Sequence, residues 1–374
     1  MTSNDSPKCD ILGLSQPQMM SFLGELGEKP YRTNQVMKWL HHRFVDDFSQ
    51  MTDISKKLQS QFQQMAEIRE PEVISEKCSV DGTRKWLMRS RSESAFETVY
   101  IPEGSRGTLC VSSQVGCVLD CKFCSTGKQG FNSNLTSGEI VGQLRVVKRL
   151  LDAQLSGVGR KITNVVFMGM GEPLLNIDQV IPAVSLMMDD LGYGISKRKV
   201  TISTAGVVPG IRRLKETTDA SLAISLHAPS DELRDQLVPI NRKYPIALLL
   251  DACRDYASNL GEKRTVTIEY ILLEGINDRA QHVHELIQLL QDFPCKINLI
   301  PFNGFPGSGF KRPSTRSVRY FQEKLVQAGY ATMVRTTRGG DIDAACGQLA
   351  GKVADVTRRS TRYKQIEVQM ATQI

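Results

Sequence analysis

Two periods of apolar residues divide this chain. Within residues 1–75 the apolar positions recur at helical spacing, as in QPQMMSFLGEL (16–26) and TNQVMKWLHHRF (33–44). The second of these follows Pro30, with Thr33 as the expected N-cap. Residues 78–101 change to strand-like alternation in WLMRS and FETVYIP, around the turn-prone DGT at 81–83. From about residue 107 to about residue 335, short apolar runs alternate with helical patterns. TLCVSSQ (108–114), NVVFMG (164–169), KVTIST (199–204), SLAISLH (221–227), TVTIEYILL (265–273) and KINLIPF (296–302) read as six strands. TSGEIVGQLRVVKRLL (136–151) and residues 245–258 and 279–290 carry helical spacing.

Strands separated by helices imply a parallel sheet. The expected fold class is therefore α/β, a partial (β/α)6 TIM-like barrel with a small helical N-terminal accessory domain. The expected division is 1–75 for that domain, 76–106 for a β-hairpin extension, 107–350 for the barrel, and 351–374 for a basic C-terminal tail. Each strand after the first opens into polar or glycine-rich residues: MGMGEP (168–173), STAG (203–206), SLHAPSD (225–231), LLEGIND (272–278) and PFNGFPG (301–307). The C-terminal ends of barrel strands build active sites, so this rim predicts an enzyme.

Composition changes that picture little. The 374 residues are 41% hydrophobic and 23% charged, ordinary values for a chain with a sizeable core. No apolar run approaches the roughly 20 residues of a membrane span, and MTSNDSPKCD is polar, so a soluble, cytoplasmic protein without a membrane partner is expected. A net charge of +7 favours a polyanionic partner without requiring one. RRSTRYK (358–364) is either a solvated tail or an RNA contact.

The cysteines sharpen the chemistry. Nine are present, and three crowd into GCVLDCKFCSTGKQGF (116–131) as Cys117, Cys121 and Cys124, spaced C-x3-C-x2-C. In a reducing compartment that pattern reads as metal or redox chemistry. Three thiolates on one loop suit three irons of a [4Fe–4S] cube, leaving the fourth open to chelate a substrate. A closed zinc site, completed by a distant cysteine, is the alternative that spacing leaves open.

C-x3-C-x-aromatic-C followed by MGMGEP resembles the radical S-adenosylmethionine (SAM) superfamily. SSQVGCVLDCKFCSTGKQGFNSNL and RGGDIDAACGQLAG are, further, similar to the RlmN/Cfr family of RNA adenine methyltransferases. The resemblance covers most of residues 80–350 and implies a radical SAM barrel. By resemblance, Cys117, Cys121 and Cys124 hold the cluster, which must reach a low potential to split SAM. Gly171 and Glu172 match contacts to SAM's methionine amine, and Ser203, Ser225, Leu226, His227 and Asn303 match its remaining contacts. Taken singly, Glu172 could be a turn residue and Asn303 a loop cap.

On its own each of Cys110 and Cys346 reads as a small buried hydrophobe, and Glu97 as a strand-surface glutamate. The resemblance implies instead that Cys346 carries a methyl group, that Cys110 resolves it, and that Glu97 accepts a proton. Adenine C2 is electron-poor, so polar methyl transfer from SAM fails there. The family's route methylates Cys346 from one SAM and uses a second SAM to turn that methyl into a carbon radical. The radical adds to the base, and Cys110 attacks Cys346 to release the product as a disulfide forms. Cys9, Cys78, Cys253 and Cys295 are expected to be structural.

The helical N-terminal extension, with KPYRTNQVMKWLHHR (29–43), favours the RlmN branch. That implies C2 methylation of adenosine in the peptidyl-transferase centre of 23S rRNA and in tRNA 3′ of the anticodon. Cfr-like C8 methylation is the alternative. The implied partners are 23S rRNA, tRNA and an electron donor such as flavodoxin with its reductase, acting on a monomer. A radical SAM enzyme of another subclass would have no reason for the Cys110/Cys346 pair. A zinc-dependent RNA-binding module would need neither the GEP stretch nor the rim serines.

Overall fold

The computed structural model describes residues 8–155, 161–261, 264–361 and 363. Of the basic run at 358–364, residues 362 and 364 lie outside these. No helix among the described residues is long and apolar enough to cross a membrane.

Three helices open the chain: α1 (Gln16–Glu25), α2 (Tyr31–His41) and α3 (Lys56–Met65). α1 starts with a capping box, in which Gln18 Oε1 accepts from Ser15 N at 3.0 Å. α2 begins two residues before the expected Thr33 cap. Pro30, with φ −52°, already holds a helical turn, and Thr33 is buried inside the helix. Met19, Leu23, Val36, Leu40, Leu58 and Phe62 face one another as the core of this module.

Ten strands follow in one sheet: β1 (Glu72–Cys78), β2 (Arg84–Arg89), β3 (Ala95–Glu103), β4 (Arg106–Cys110), β5 (Asn164–Phe167), β6 (Val200–Thr204), β7 (Ser221–Ser225), β8 (Val266–Leu272), β9 (Cys295–Pro301) and β10 (Ala331–Val334). Their spatial order is their chain order, with β1 and β10 at the two edges. β1 to β4 pair antiparallel, and β4 to β10 pair parallel. The crossovers carry α4 (Ser125–Gln129) and α5 (Ser137–Gln154) after β4, α6 (Ile177–Met188) after β5 and α7 (Val208–Thr217) after β6. α8 (Asp231–Leu237) and α9 (Ile246–Ser258) follow β7, α10 (Ala280–Leu289) follows β8, and α11 (Thr315–Gln327) follows β9. Six strand–helix units thus form an open barrel, ended by β10.

Two features escaped the apolar pattern. The turn at 81–83 joins β1 to β2, so the ten-stranded sheet starts at residue 72, inside the segment expected to be helical. β1 is an edge strand, largely exposed, and an edge has no buried face to impose alternation. β10 is half exposed for the same reason.

Along the barrel strands the two-residue period separates packing from function. Leu109, Val165, Phe167, Ile202, Leu222, Ile224, Ile268 and Leu299 are buried in the main core. Their alternates, Thr108, Asn164, Thr201, Thr267 and Asn298, line a cavity. Barrel interiors are usually filled by bulky branched side chains. This one is polar and open.

The N-terminal module is bolted to α5. Ser137 Oγ donates to Gly13 O at 2.8 Å, and a Cβ on Gly13 would stand 2.3 Å from Gly138 N. Arg145 is fully buried; its guanidinium donates to Leu40 O, to Val45 O at 2.9 Å, to Asp46 at 2.5 Å and to Glu70 at 2.8 Å. Arg145→Met would leave those carbonyls and carboxylates without their donor. A loss of about 3 kcal/mol is expected, read as a lower denaturation midpoint with early proteolysis before residue 70. An unchanged midpoint would show that the module docks without this residue.

Candidate active site

The inward strand faces and the rim loops enclose two adjoining cavities, of about 150 Å³ and about 340 Å³. The smaller is lined by Cys117, Cys121 and Cys124 together with Gly171, Glu172, Ser203, Ser225 and His227. The larger lies inside the barrel and is lined by Cys110 and Asn303, among others. Met168, Glu269, Ile300 and Cys346 form the wall common to both.

The three-cysteine loop is held from below by Phe123. Its ring sits in a small apolar cluster with Leu237, Val238, Ile271 and Phe302, against which Cys121 and Cys124 pack. It also meets His227 edge-on, with ring centroids 4.7 Å apart. Burial, then the charges of the neighbouring thiols, holds Cys117 and Cys121 above the usual thiol range. Three thiols this mutually repulsive ionise together only with a cation among them. Among the described residues no group of three or more His, Cys, Asp or Glu is placed to hold a metal ion. The thiols instead border a cavity, a donor set that fits a larger iron–sulfur group better than one zinc ion.

Glu172 is fixed before any ligand arrives. Its N–H donates to Gln114 Oε1 at 3.0 Å; its carboxylate accepts from Leu174 N at 3.0 Å and Ala205 N at 2.8 Å. Burial raises its pKa, and these donors work against that rise. Gly171 adopts φ +99°, where a Cβ would stand 2.5 Å from Gln114 Cβ, so only glycine brings the chain past this point. His227 Nδ1 accepts from Ile271 N at 3.0 Å, which leaves the ring proton on Nε2. Burial, with the Arg234 charge second, lowers its pKa to about 3, so the ring is neutral.

Arg234 of α8 gathers these exits. Its fully buried guanidinium donates to Leu226 O at 3.0 Å, Ala205 O at 2.7 Å, Ser225 O at 3.1 Å and Asn241 Oδ1 at 2.8 Å. Leu226 itself is buried in the wall and lines neither cavity. Asn303 lies apart from the other expected SAM contacts, in the larger cavity, accepting from Thr337 Oγ1 at 2.8 Å and Arg312 at 3.0 Å.

Cys346 sits on a loop after β10, and both it and Cys110 are free thiols. Burial, then the charge of Cys346, pushes the Cys110 thiol up to about 12. Burial also raises Cys346, while the Arg335 guanidinium pulls it down and Glu269 pushes it up. The negative charge of Cys346 is in turn the largest cause of the raised pKa of Arg335. Arg335 Nη1 lies 3.9 Å from Glu269 Oε1.

Glu97 lines neither cavity. Its carboxylate pairs with Lys85 at 3.0 Å and accepts from Ala350 N at 2.9 Å, and Lys85 also donates to Asp343 O at 2.9 Å. The pair therefore grips the Cys346 loop on both sides of the thiol. The basic run at 358–364 is not a free tail where it is described. Arg359 and Tyr363 lie on the cysteine loop, because that loop presents carbonyls and a carboxylate for them to bind.

Glu269 and Arg335 were not singled out in the sequence, although Glu269 left a signal. It is a carboxylate on an inward position of TVTIEYILL, a strand otherwise apolar at its centre. Arg335 left none, since the short β10 before it was itself illegible.

Residues 9–68 match the model of the ribosomal RNA large subunit methyltransferase N-terminal domain, and residues 111–290 match that of the radical SAM superfamily. A dual-specificity RNA methyltransferase RlmN of Pseudomonas fluorescens (strain SBW25) is 62% identical over 95% of this chain and 93% of its own length. Its counterpart from Pseudomonas putida (strain W619) is 59% identical over the same shares. The crystal structure of a radical SAM methyltransferase from Sphaerobacter thermophilus superposes with a TM-score of 0.83 at 38% identity, covering 92% of this chain and 99% of that one. On this likeness of sequence and fold, the chain belongs to the RlmN family of dual-specificity RNA methyltransferases, radical SAM enzymes that work with a [4Fe–4S] cluster and SAM.

Proposed function

We propose that this enzyme methylates C2 of an adenosine in the peptidyl-transferase centre of 23S rRNA and of the adenosine 3′ of the anticodon in tRNA. It does so by a two-SAM, ping-pong route through S-methylated Cys346. The observation that carries this reading is the position of Cys346 in the wall shared by both cavities, with Cys110 bordering the larger. One side of the thiol faces the cysteine loop and the expected SAM contacts. The other faces a polar chamber beside the second thiol.

Cys117, Cys121 and Cys124 are assigned as the cluster ligands. Glu172 takes SAM's ammonium, and Ser203, Ser225 and the Nε2–H of His227 supply hydroxyls and a donor for its other polar groups. The cluster, when bound, supplies the electron that splits SAM reductively and so yields a carbon radical able to take hydrogen from an S-methyl group.

The thiolate of Cys346 first takes a methyl group from SAM, leaving S-adenosylhomocysteine; Arg335 favours that thiolate. Hydrogen abstraction then leaves an S-methylene radical on Cys346, which adds to C2. The C2 proton departs to Glu97, and one electron departs to an oxidised one-electron carrier of the flavodoxin class, the same class that charges the cluster. As the loop stands, that carboxylate reaches the chamber only after its bond to Ala350 N–H opens. Cys110 thiolate then attacks Cys346 Sγ. The carbon leaves with the bonding pair and takes a proton to become the methyl group, while the two sulfurs form a disulfide. An external dithiol reductant must reopen that disulfide, and a low-potential donor of the flavodoxin type must recharge the cluster. We assign RNA docking to the N-terminal module and place the enzyme, as a monomer, in the cytoplasm.

Mass spectrometry of the cluster-loaded enzyme after incubation with SAM should find Cys346 methylated. Cys110→Ala should accumulate a covalent RNA adduct, because nothing remains to attack Cys346. An unmethylated Cys346 defeats the route, and C8-methylated nucleosides in treated RNA would replace C2 by C8.

A raised thiol pKa means less thiolate at a given pH, so iodoacetamide should modify Cys346 slowly near pH 8 and faster as pH climbs. Arg335→Met removes the cation that holds this pKa down. Peptide mapping should show modification of Cys346 slowed about tenfold at the same pH, and equal rates would exclude Arg335 as the thiolate's counter-charge.

A further inference from the structure

The residues just after the Cys346 loop do not run into solvent. The cysteine loop at 117–124 is irregular, and the carbonyls of Cys117, Val118 and Leu119 take no helix or sheet bond among the described residues. Arg359 donates to them. Its Nη1 donates to Cys117 O at 3.1 Å, Leu119 O at 2.9 Å and Gly127 O at 2.8 Å, and its Nη2 donates to Val118 O at 2.8 Å. One guanidinium therefore ties both ends of the loop together, including the peptide carbonyl of a cluster ligand.

The segment that carries Arg359 is itself anchored at two points. Asp355 accepts from Phe131 N at 3.2 Å with one oxygen and from Ser360 N at 2.8 Å with the other, so it docks the strap and caps the turn before Arg359. Gly130 makes room for it, since a Cβ there would lie 2.0 Å from Asp355 Oδ1. Beyond the arginine, Tyr363 Oη donates to Asp120 Oδ1 at 2.7 Å and accepts from Lys122 Nζ at 3.1 Å.

We infer that Arg359 is a positioning residue for the iron–sulfur cluster: it braces the loop that carries Cys117, Cys121 and Cys124 and sets a fixed positive charge beside the cluster. The inference rests on the assignment of those cysteines as ligands. Two consequences follow physically. A braced loop cannot splay, so the three thiolates stay convergent and iron escapes slowly. A nearby cation favours the more negative, reduced cluster and raises its potential. Turned inward to four carbonyls, this guanidinium is not offered to RNA phosphates.

The test compares full-length Arg359→Met, Arg359→Lys and Arg358→Met, each reconstituted with iron and sulfide without oxygen. Iron loss to a chelator and the cluster's midpoint potential are measured on each. Arg359→Met should lose iron about tenfold faster than the parent, with its midpoint displaced to more negative potential. Arg359→Lys should return the midpoint but not the slow iron loss, because an ammonium lacks the planar fork. Arg358→Met, an exposed neighbour, should leave both unchanged. Tyr363→Phe, which removes only the hydroxyl's bonds to Asp120 and Lys122, should speed iron loss about threefold without moving the midpoint, and it serves if Arg359→Met does not fold. Iron loss and midpoint equal to the parent's in Arg359→Met, or the same changes in Arg358→Met, would overturn the inference. A parent enzyme that takes up no iron would instead defeat the ligand assignment.

Discussion

The bond from Ser125 N–H to Gly347 O, 2.8 Å long, joins two loops that the chain separates by more than two hundred residues. Ser125 follows the last cysteine of the cluster loop, and Gly347 follows Cys346. A second bond, from Thr126 Oγ1 to Leu349 O at 2.7 Å, runs beside it. Because of this pairing Cys346 lines the cavity of the three-cysteine loop and the barrel chamber at once. Without it Cys346 would have no fixed distance to the three-cysteine loop, and the adjoining cavities would have no common wall.

Holding irregular loops in such a register has a cost in unpaired backbone groups, and the protein meets it with arginines. Arg145 takes carbonyls between the N-terminal module and α5, Arg234 those of the β6 and β7 exits, and Arg359 those of the cluster loop. A guanidinium suits this work, since it carries five donors in a rigid fork and stays charged when buried. Burial lowers the pKa of Arg234 only to about 10, so it keeps its proton at neutral pH. Lysine, with one point charge, spans fewer acceptors.

The barrel contributes a different constraint. Its strands turn apolar residues outward to the helices and small polar ones inward, so the interior is free to hold a substrate group. The candidate reactive groups Cys110, Ser203, Ser225 and Glu269 sit in the C-terminal layer of that interior, beside Met168 and Ile300. The lower layer, with Thr108, Asn164, Thr201, Thr267 and Asn298, supplies neutral hydrogen-bonding groups, and Glu103 and Arg106 line the same cavity.

Local chemistry made much of this legible in the sequence. Apolar spacing located six barrel strands, because each has an outer face buried against helices. C-x3-C-x2-C stood out because its thiols share one loop, and GEP because its carboxylate sits at a strand exit that is local too. What depends on residues distant along the chain was decided only by the tertiary structure. That Cys346 touches both cavities, that Glu269 lies beside it, that Glu97 grips its loop from behind, and that Arg359 binds the three-cysteine loop all follow from contacts across about 80 to 250 positions. No periodicity records such contacts. Edge strands β1 and β10 stayed hidden for the complementary reason: a strand with one free edge and a largely exposed face has little burial to imprint a pattern. The sequence alone determined which candidate thiols and carboxylates stand out; the fold decided which of them meet and which neighbours, Arg335 and Glu269 among them, join them.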